Sequence, residues 1–223
     1  MRGEHTVYSR TIEERKQQLM LSPEQKDILI GLLLGDACLE TQNKGQTYRL
    51  KIEQSRSHQA YVEHLYGLFA EWVPTPPRVK QVVSAAHQSE NMTFQTVNHS
   101  AFRFYAHQFY IEGKKRVPEL IHRWLTPQGL AYWFMDDGSI KSKQSKAVIF
   151  NTQGFHRSEV ERLIQVLQQL FSLQASVRNQ KDGCQIYIAG GSYERFVELI
   201  SPYLIAEMQY KLPPPRRTHL PKL

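Results

Sequence analysis

Two stretches of this 223-residue chain repeat one design. "SPEQKDILIGLLLGD" (22–36) and "TPQGLAYWFMDDG" (126–138) each begin with a hydroxyl residue followed by proline, and each carries an apolar run to an aspartate. Ser22 and Thr126 suit the N-cap, and Pro23 and Pro127 suit the first helical position, where a missing N–H costs nothing. Gln25 completes a capping box with Ser22. The spacing predicts two helices of three to four turns, ending at Gly35–Asp36 and at Asp136–Asp137–Gly138. Asp36 and Asp137 stand 101 positions apart, nearly half the chain.

The segments after the two helices also recur. "TYRLKIEQ" (47–54) and "KAVIFNTQ" (146–153) are rich in β-branched and aromatic residues and read as strands, each ending on a glutamine, Gln54 and Gln153. Each runs into an amphipathic helix, 57–72 with Val62, Leu65, Tyr66 and Phe69 on one face, and 158–171 with Val160, Leu163, Leu167 and Leu170. Further strands are expected at 78–85, 92–98, 174–180 and 184–189, and a third helix closes each half around 99–111 and 192–200. Each half then ends on a basic phrase before proline, "KKRVP" (114–118) and "YKLP" (210–213). The reading is an α+β chain built as a tandem αββαββα repeat with two antiparallel sheets. The halves run over 22–118 and 119–212, with an N-terminal extension at 1–21, helical in "EERKQQLM", and a basic proline-rich tail at 213–223. That tail is either a disordered end or a basic strap for phosphate.

Composition narrows the function. A net charge of +7 favours an anionic partner, nucleic acid before an acidic membrane surface. The longest apolar run, 28–34, is too short to span a bilayer, and the polar start lacks a secretory h-region. Two cysteines make neither a disulfide framework nor a zinc pattern and fit a reducing compartment.

The helix ends carry the chemistry. A glycine within a helix costs about 1 kcal/mol against alanine. Gly31 and Gly35, four apart, are expected on one helical face as a surface for close approach of a second helix, with Ala131 offered by the other copy. A carboxylate at a helix C-terminus faces the negative end of the macrodipole, at a cost of about 0.3–1 kcal/mol. Two such acids with bare carbonyls beside them make an all-oxygen cluster that suits a hard divalent cation, such as Mg²⁺ with its retained waters. With a DNA phosphate added, that is a site for metal-assisted phosphodiester hydrolysis.

At these residues the chain resembles the LAGLIDADG homing endonucleases, in their monomeric, double-motif branch. "LIGLLLGDA" and "LAYWFMDDG" are similar to the two signature motifs, and "LTPQGLAYWFMDDGS", "NTQGF" and "YKLP" extend the likeness over about 22–213. The resemblance implies a saddle in which the motif helices form the central interface and the sheets straddle the DNA major groove. It implies Mg²⁺-dependent cleavage, with Mn²⁺ as a substitute, of a long asymmetric double-stranded target, and hence intron mobility. Asp36 and Asp137 match the catalytic, metal-holding acids, and the backbone carbonyls of Gly35 and Asp136 complete the metal shell. Adjacent helical positions point about 100° apart, so Asp136 and Asp137 do not share a direction, and the motif alignment selects Asp137. Lys115 and Lys211 match the active-site lysines, although counting back from proline pairs Lys211 with Arg116. Polar residues around the attacking water fall on Glu53 and Gln180, or on Gln54 and Gln153 by the repeat.

An antiparallel sheet can lay a ribbon in the major groove. In "TYRLKIEQ", Tyr48, Leu50, Ile52 and Gln54 share one face, with Arg49, Lys51 and Glu53 on the other. Arg78, Lys80 and Gln81 suit a second reading strand. Lys141, Lys143, Lys146, Arg178 and Lys181 supply the second half. The same resemblance leaves open an intron-encoded RNA maturase, with host intron RNA as partner, or a catalytically inactive DNA-binding regulator. It implies a monomer without membrane contact, intracellular, in a mitochondrion, chloroplast or bacterial cytoplasm.

Overall fold

Ser22 opens the first helix as its sequence dictates. The computed structural model describes residues 16–84, 87–142 and 144–213. In it, Ser22 Oγ accepts from the Gln25 N–H and Gln25 Oε1 accepts from the Ser22 N–H, each at 3.0 Å. Helix α1 (Pro23–Leu34) comes next, and every residue from Ile28 to Leu34 is buried. A helix apolar all round belongs in a core. Gly35 does not continue its face. The helix stops at Leu34, and Gly35 is the C-cap, with φ −92° and ψ −137°. The expected Gly31–Gly35 helical pair is therefore half right, because the second glycine ends the helix.

The chain divides into two compact units between Pro118 and Glu119. The first continues through β1 (Cys38–Glu40) and β2 (Arg49–Ser55) into α2 (Gln59–Leu68), which short 3-10 turns flank at 56–58 and 70–72. Next come β3 (Arg78–Ser84), β4 (His87–Gln95), α3 (Arg103–Phe109) and a small hairpin, β5 (Tyr110–Ile111) and β6 (Lys114–Lys115). The four long strands form an antiparallel sheet in the order β1-β2-β4-β3. Leu50 and Ile52 are buried in β2, while Arg49, Lys51 and Glu53 between them stay partly exposed, as alternation predicts. Tyr61, Val62 and Leu65 of α2, Phe69 and Trp72 complete this core, with the Trp72 ring 5.1 Å from Phe102.

The second unit repeats the order. Thr126 Oγ1 accepts from the Gly129 N–H at 3.1 Å and opens α4 (Pro127–Asp137). Strands β7 (Gly138–Ile140) and β8 (Val148–Phe150), helix α5 (Arg157–Phe171), strands β9 (Ala175–Gln180) and β10 (Gly183–Ile188) and helix α6 (Tyr193–Ile200) complete it. Their sheet runs β7-β8-β10-β9, again antiparallel. Phe150 is its hub, with ring centroids 4.3 Å from Trp133, 5.7 Å from Phe134 and 6.1 Å from Phe196. On α5 the expected core residue Leu170 is 47% exposed, and Phe171 is buried in its place.

Each unit thus has the αββαββα order, though not all expected bounds hold. The strand expected at 146–153 spans only Val148–Phe150, and that expected at 92–98 starts earlier, at His87. The lead-in helix is described only at 16–18, and the basic tail from 214 onward lies outside the described residues.

The ladders correct the internal alignment. Leu39 pairs with Leu50, and its counterpart Ile140 pairs with Val148. Carried along the strands, Glu53 matches Asn151 and Ser55 matches Gln153. The equivalence of Gln54 with Gln153 does not hold, because the β7–β8 turn is shorter than the β1–β2 turn. A one-residue slip moves a side chain to the other face of the sheet.

Candidate functional site

In the first unit, Asp36 lies just past the cap of α1. Gln54 Nε2 donates to Asp36 Oδ2 at 2.8 Å, and His58 Nδ1 stands 3.4 Å from Gln54 Oε1. Of the two alternatives for the first half, it is Gln54 that reaches the acid. Glu53 points to the other face, where it accepts from Lys80 Nζ at 3.0 Å and Asn91 Nδ2 at 2.9 Å.

The last turn of α1 holds no cation of its own. A distant lysine supplies one. Lys115 Nζ donates to the carbonyls of Gly35 and Ala37, at 2.7 Å each. The β5–β6 hairpin delivers it. Its turn residues, Glu112 (φ 51°) and Gly113 (φ 77°), both have positive φ, the condition for a tight type I′ turn, and glycine meets it without strain. Tyr110, opposite Lys115 in this hairpin, braces the start of β1, for the Leu39 N–H donates to its hydroxyl at 3.1 Å. Burial pushes the Tyr110 phenol up to about 12, so it stays neutral.

The second unit builds the same arrangement from other parts. Lys211 ends a 3-10 segment, Ala206–Lys211, and its Nζ donates to the carbonyls of Met135 and Asp136, the latter at 2.8 Å. It caps α4 as Lys115 caps α1. The proline-counting rule, which pairs Arg116 with Lys211, does not describe these contacts, because a hairpin carries one lysine and a 3-10 turn the other. Asn151 donates to the Asp137 carbonyl through both its backbone N–H and Nδ2, each at 3.0 Å, and Gln185 Nε2 donates to Asn151 Oδ1 at 2.7 Å. No sequence pattern singles out Gln185, and Asn151 is marked only as the first residue of "NTQGF". The ladder register, which matches Asn151 to Glu53, points to Asn151 as the residue that acts. Gln153 lies beyond β8, its backbone against Gly183, and Gln180 pairs with Gly183 at the far end of the β9–β10 hairpin.

Gly138 is needed for room and not for a left-handed turn. Its backbone is extended (φ −74°, ψ 147°) and begins β7 directly. A Cβ there would lie 2.0 Å from Phe134 Cδ2 and 2.4 Å from the Phe134 carbonyl oxygen.

The basic residues sort by face. Arg49, Lys51, Arg78 and Lys80 line one groove on the first sheet with Glu40 and Glu53. In the second unit Arg178 sits opposite Gln185, and Lys141 Nζ lies 5.2 Å from the centre of the Tyr187 ring. Lys181 occupies the β9–β10 turn. Lys146 turns away to Glu194 and the Tyr193 ring of α6. Gln81 also turns from the groove and donates to Glu90 at 2.7 Å. Lys143 lies outside the described residues.

The oxygen donors suit a hard cation. The α1 end carries the Asp36 carboxylate and the α4 end those of Asp136 and Asp137, the carbonyls of Gly35 and Asp136 each accept from a lysine and keep a second lone pair, and the described residues contain no group of three His, Cys, Asp or Glu able to cage a metal. Mg²⁺ accepts such a sparse set because it keeps water and takes substrate phosphate as further ligands.

Known proteins share the sequence and the fold of this chain. A model of the LAGLIDADG DNA endonuclease family matches residues 26–196. The probable intron-encoded endonuclease 1 of Wickerhamomyces canadensis is 36% identical over 204 residues, 89% of this chain and 87% of its own length. The cytochrome b mRNA maturase bI2 of Debaryomyces hansenii is 29% identical over 198 residues, 86% of this chain and 74% of its own. Among solved structures, the homing endonuclease I-WcaI bound to its DNA recognition sequence matches with a TM-score of 0.85 and 35% identity, covering 90% of this chain and 91% of that one.

Proposed function

The chain belongs to the LAGLIDADG DNA endonuclease family, and from that premise we propose that it is a site-specific homing endonuclease. It hydrolyses phosphodiester bonds of a long double-stranded DNA target with a divalent metal. The observation that carries this reading is the construction of each motif-helix end, an aspartate beside carbonyls that a lysine from far along the chain has come to hold.

Asp36 and Asp137, with the carbonyls of Gly35 and Asp136, are the residues that would hold Mg²⁺, or Mn²⁺ in its place. When bound, such an ion supplies Lewis-acid charge at the scissile phosphate. The protein's own groups do the rest. Gln54 donates to one oxygen of Asp36 and so fixes the plane in which the carboxylate meets a ligand. Asn151 holds the Asp137 main chain and, through Gln185, ties the helix end to the second sheet. Lys115 and Lys211 keep positive charge at the two helix ends, where the macrodipole is negative and phosphate must come close. Water attacks phosphorus, its oxygen forms the new P–O bond as the bond to the ester oxygen breaks, and the proton that the water gives up to solvent is matched by one that the departing oxygen takes up. The exposed basic faces of the sheets supply the duplex contacts, and the chain acts as a monomer.

The test is cleavage of a supercoiled plasmid carrying an intron-insertion junction. With Mg²⁺ the wild type should linearise it. Asp36→Asn and Asp137→Asn should each abolish cutting while retaining binding to the junction duplex. Normal cutting by both variants would refute the site. A maturase role is the second reading, supported by the Debaryomyces relative. In that case the same variants would still promote splicing of the host intron RNA.

A further inference from the structure

The groove on the first sheet, about 380 Å³ in volume, is charged in alternation. Arg49 Nε and Nη2 donate to Glu40 Oε2 at 3.2 and 2.8 Å, and Lys51 Nζ lies 3.2 Å from Glu40 Oε1. Lys51 is also 3.6 Å from Glu53 Oε2, and Glu53 in turn grips Lys80 through both oxygens at 3.0 Å. The sequence of charges is Arg49–Glu40–Lys51–Glu53–Lys80, and Asn91 of β4 joins it at Glu53. Burial pushes the Glu40 carboxyl up, but hydrogen bonds from Arg49 and Lys51 outweigh it and hold the group below the usual carboxylate range. Glu53 is held low in the same way by Asn91 and Lys80 against the push of burial. Both are therefore anions at neutral pH.

The fold does not require these anions. In the second sheet the ladder matches Glu40 to Lys141 and Glu53 to Asn151. Among the described residues the equivalent face there shows Ser139, Ile149, Asn151, Arg178, Gln185 and Tyr187, with no carboxylate. A protein whose first task is to attract phosphate has thus put two carboxylates on only one of its two reading faces. A carboxylate in the major groove is repelled by phosphate and by every base acceptor. It is welcome only opposite an exocyclic amine, on cytosine N4 or adenine N6.

We propose that Glu40 and Glu53 determine sequence specificity on this face. Their oxygens accept from the amine of cytosine or adenine and turn away guanine and thymine, whose major-groove edges present acceptors at the matching places. The same carboxylates hold Arg49, Lys51 and Lys80 extended across the strands and partly neutralise them. Non-specific phosphate binding is weakened, because each neutralised cation releases fewer counterions from the duplex. The inference rests on the DNA-binding reading above.

The experiment measures binding of the full chain in EDTA to its junction duplex, to a random duplex, and to a library randomised across the junction. It is run from about 50 to 200 mM KCl, the range over which phosphate contacts dominate the salt response. Glu40→Gln and Glu53→Gln keep the shape and add a donor. Each should raise affinity for the random duplex about threefold to tenfold and steepen its salt dependence. Each should also broaden the library preference at one or two positions from cytosine or adenine to include guanine or thymine. Glu53→Asn, which installs the residue found at the matching place in the second sheet, should do the same and guards against a folding artefact. An unchanged base preference overturns the proposal, whether or not random-duplex affinity rises. A wild type that binds no duplex at all overturns the DNA-binding reading instead, so the two failures are distinct.

Discussion

Replacing Lys115 by methionine tests whether the lysine holds the helix end. Its ammonium donates to two carbonyls at 2.7 Å, those of Gly35 and Ala37. A hydrogen bond to a charged group contributes about 1.5–3 kcal/mol when well protected, and a cation at a helix C-terminus adds about 0.3–1 kcal/mol. The site is only partly buried, so water can replace some of what is lost. A net loss of about 2–3 kcal/mol is expected rather than the full sum of the protected values. For a chain of this size, 1 kcal/mol moves Tm by about 2–4 °C, so Lys115→Met should melt about 4–12 °C below wild type in chelator. Lys114→Met, at the exposed neighbouring position, is the control and should melt with the wild type. Mg²⁺ bound at the Gly35 carbonyl would restore positive charge there, so added Mg²⁺ should raise the variant's Tm more than the wild type's. Differential scanning calorimetry with and without Mg²⁺ reads both effects. A Tm within about 1 °C of wild type in chelator would refute the capping argument.

Other consequences are as direct. Gly138→Ala places a methyl 2.0 Å from the Phe134 ring and should lower stability by about 2 kcal/mol or more, read as a fall in the urea midpoint. Ser22→Ala removes half of the capping box and should lose about 1 kcal/mol in the same assay, where no shift would count against the cap. Gln54→Leu lets the Asp36 carboxylate rotate and should slow cleavage at saturating DNA while leaving the binding constant unchanged. Glu40 and Glu53 are both depressed in the folded state. Their contribution to stability is therefore present above the unfolded carboxylate pKa, about 4.3, and is lost as pH falls through the folded value. The stability difference between wild type and the Glu40→Gln/Glu53→Gln double variant should be at most about 1 kcal/mol at pH 7 and should shrink steadily in melts taken at pH values below about 4.3.

Much of this protein was legible in its sequence. Ser22, Pro23 and Gln25, and Thr126 with Pro127, mark the helix starts because capping acts over three residues. Alternation in "RLKIEQ" placed Leu50 and Ile52 inside and Arg49, Lys51 and Glu53 outside because a strand reverses its face at every step. The twofold repeat, and the acid at each motif-helix end, were equally plain. What tertiary structure alone decided is long-range. Which basic residue reaches α1 depends on a hairpin some 80 residues away, and the contact falls to Lys115 rather than Arg116. The partner of Glu53 in the other half depends on turn length, which sets register and makes it Asn151 rather than a glutamine. The need for glycine at 138 comes from the approach of Phe134, not from a left-handed turn. Periodicity and capping are properties of neighbours along the chain. Register, close approach and charge pairing across a sheet belong to residues that only folding makes neighbours.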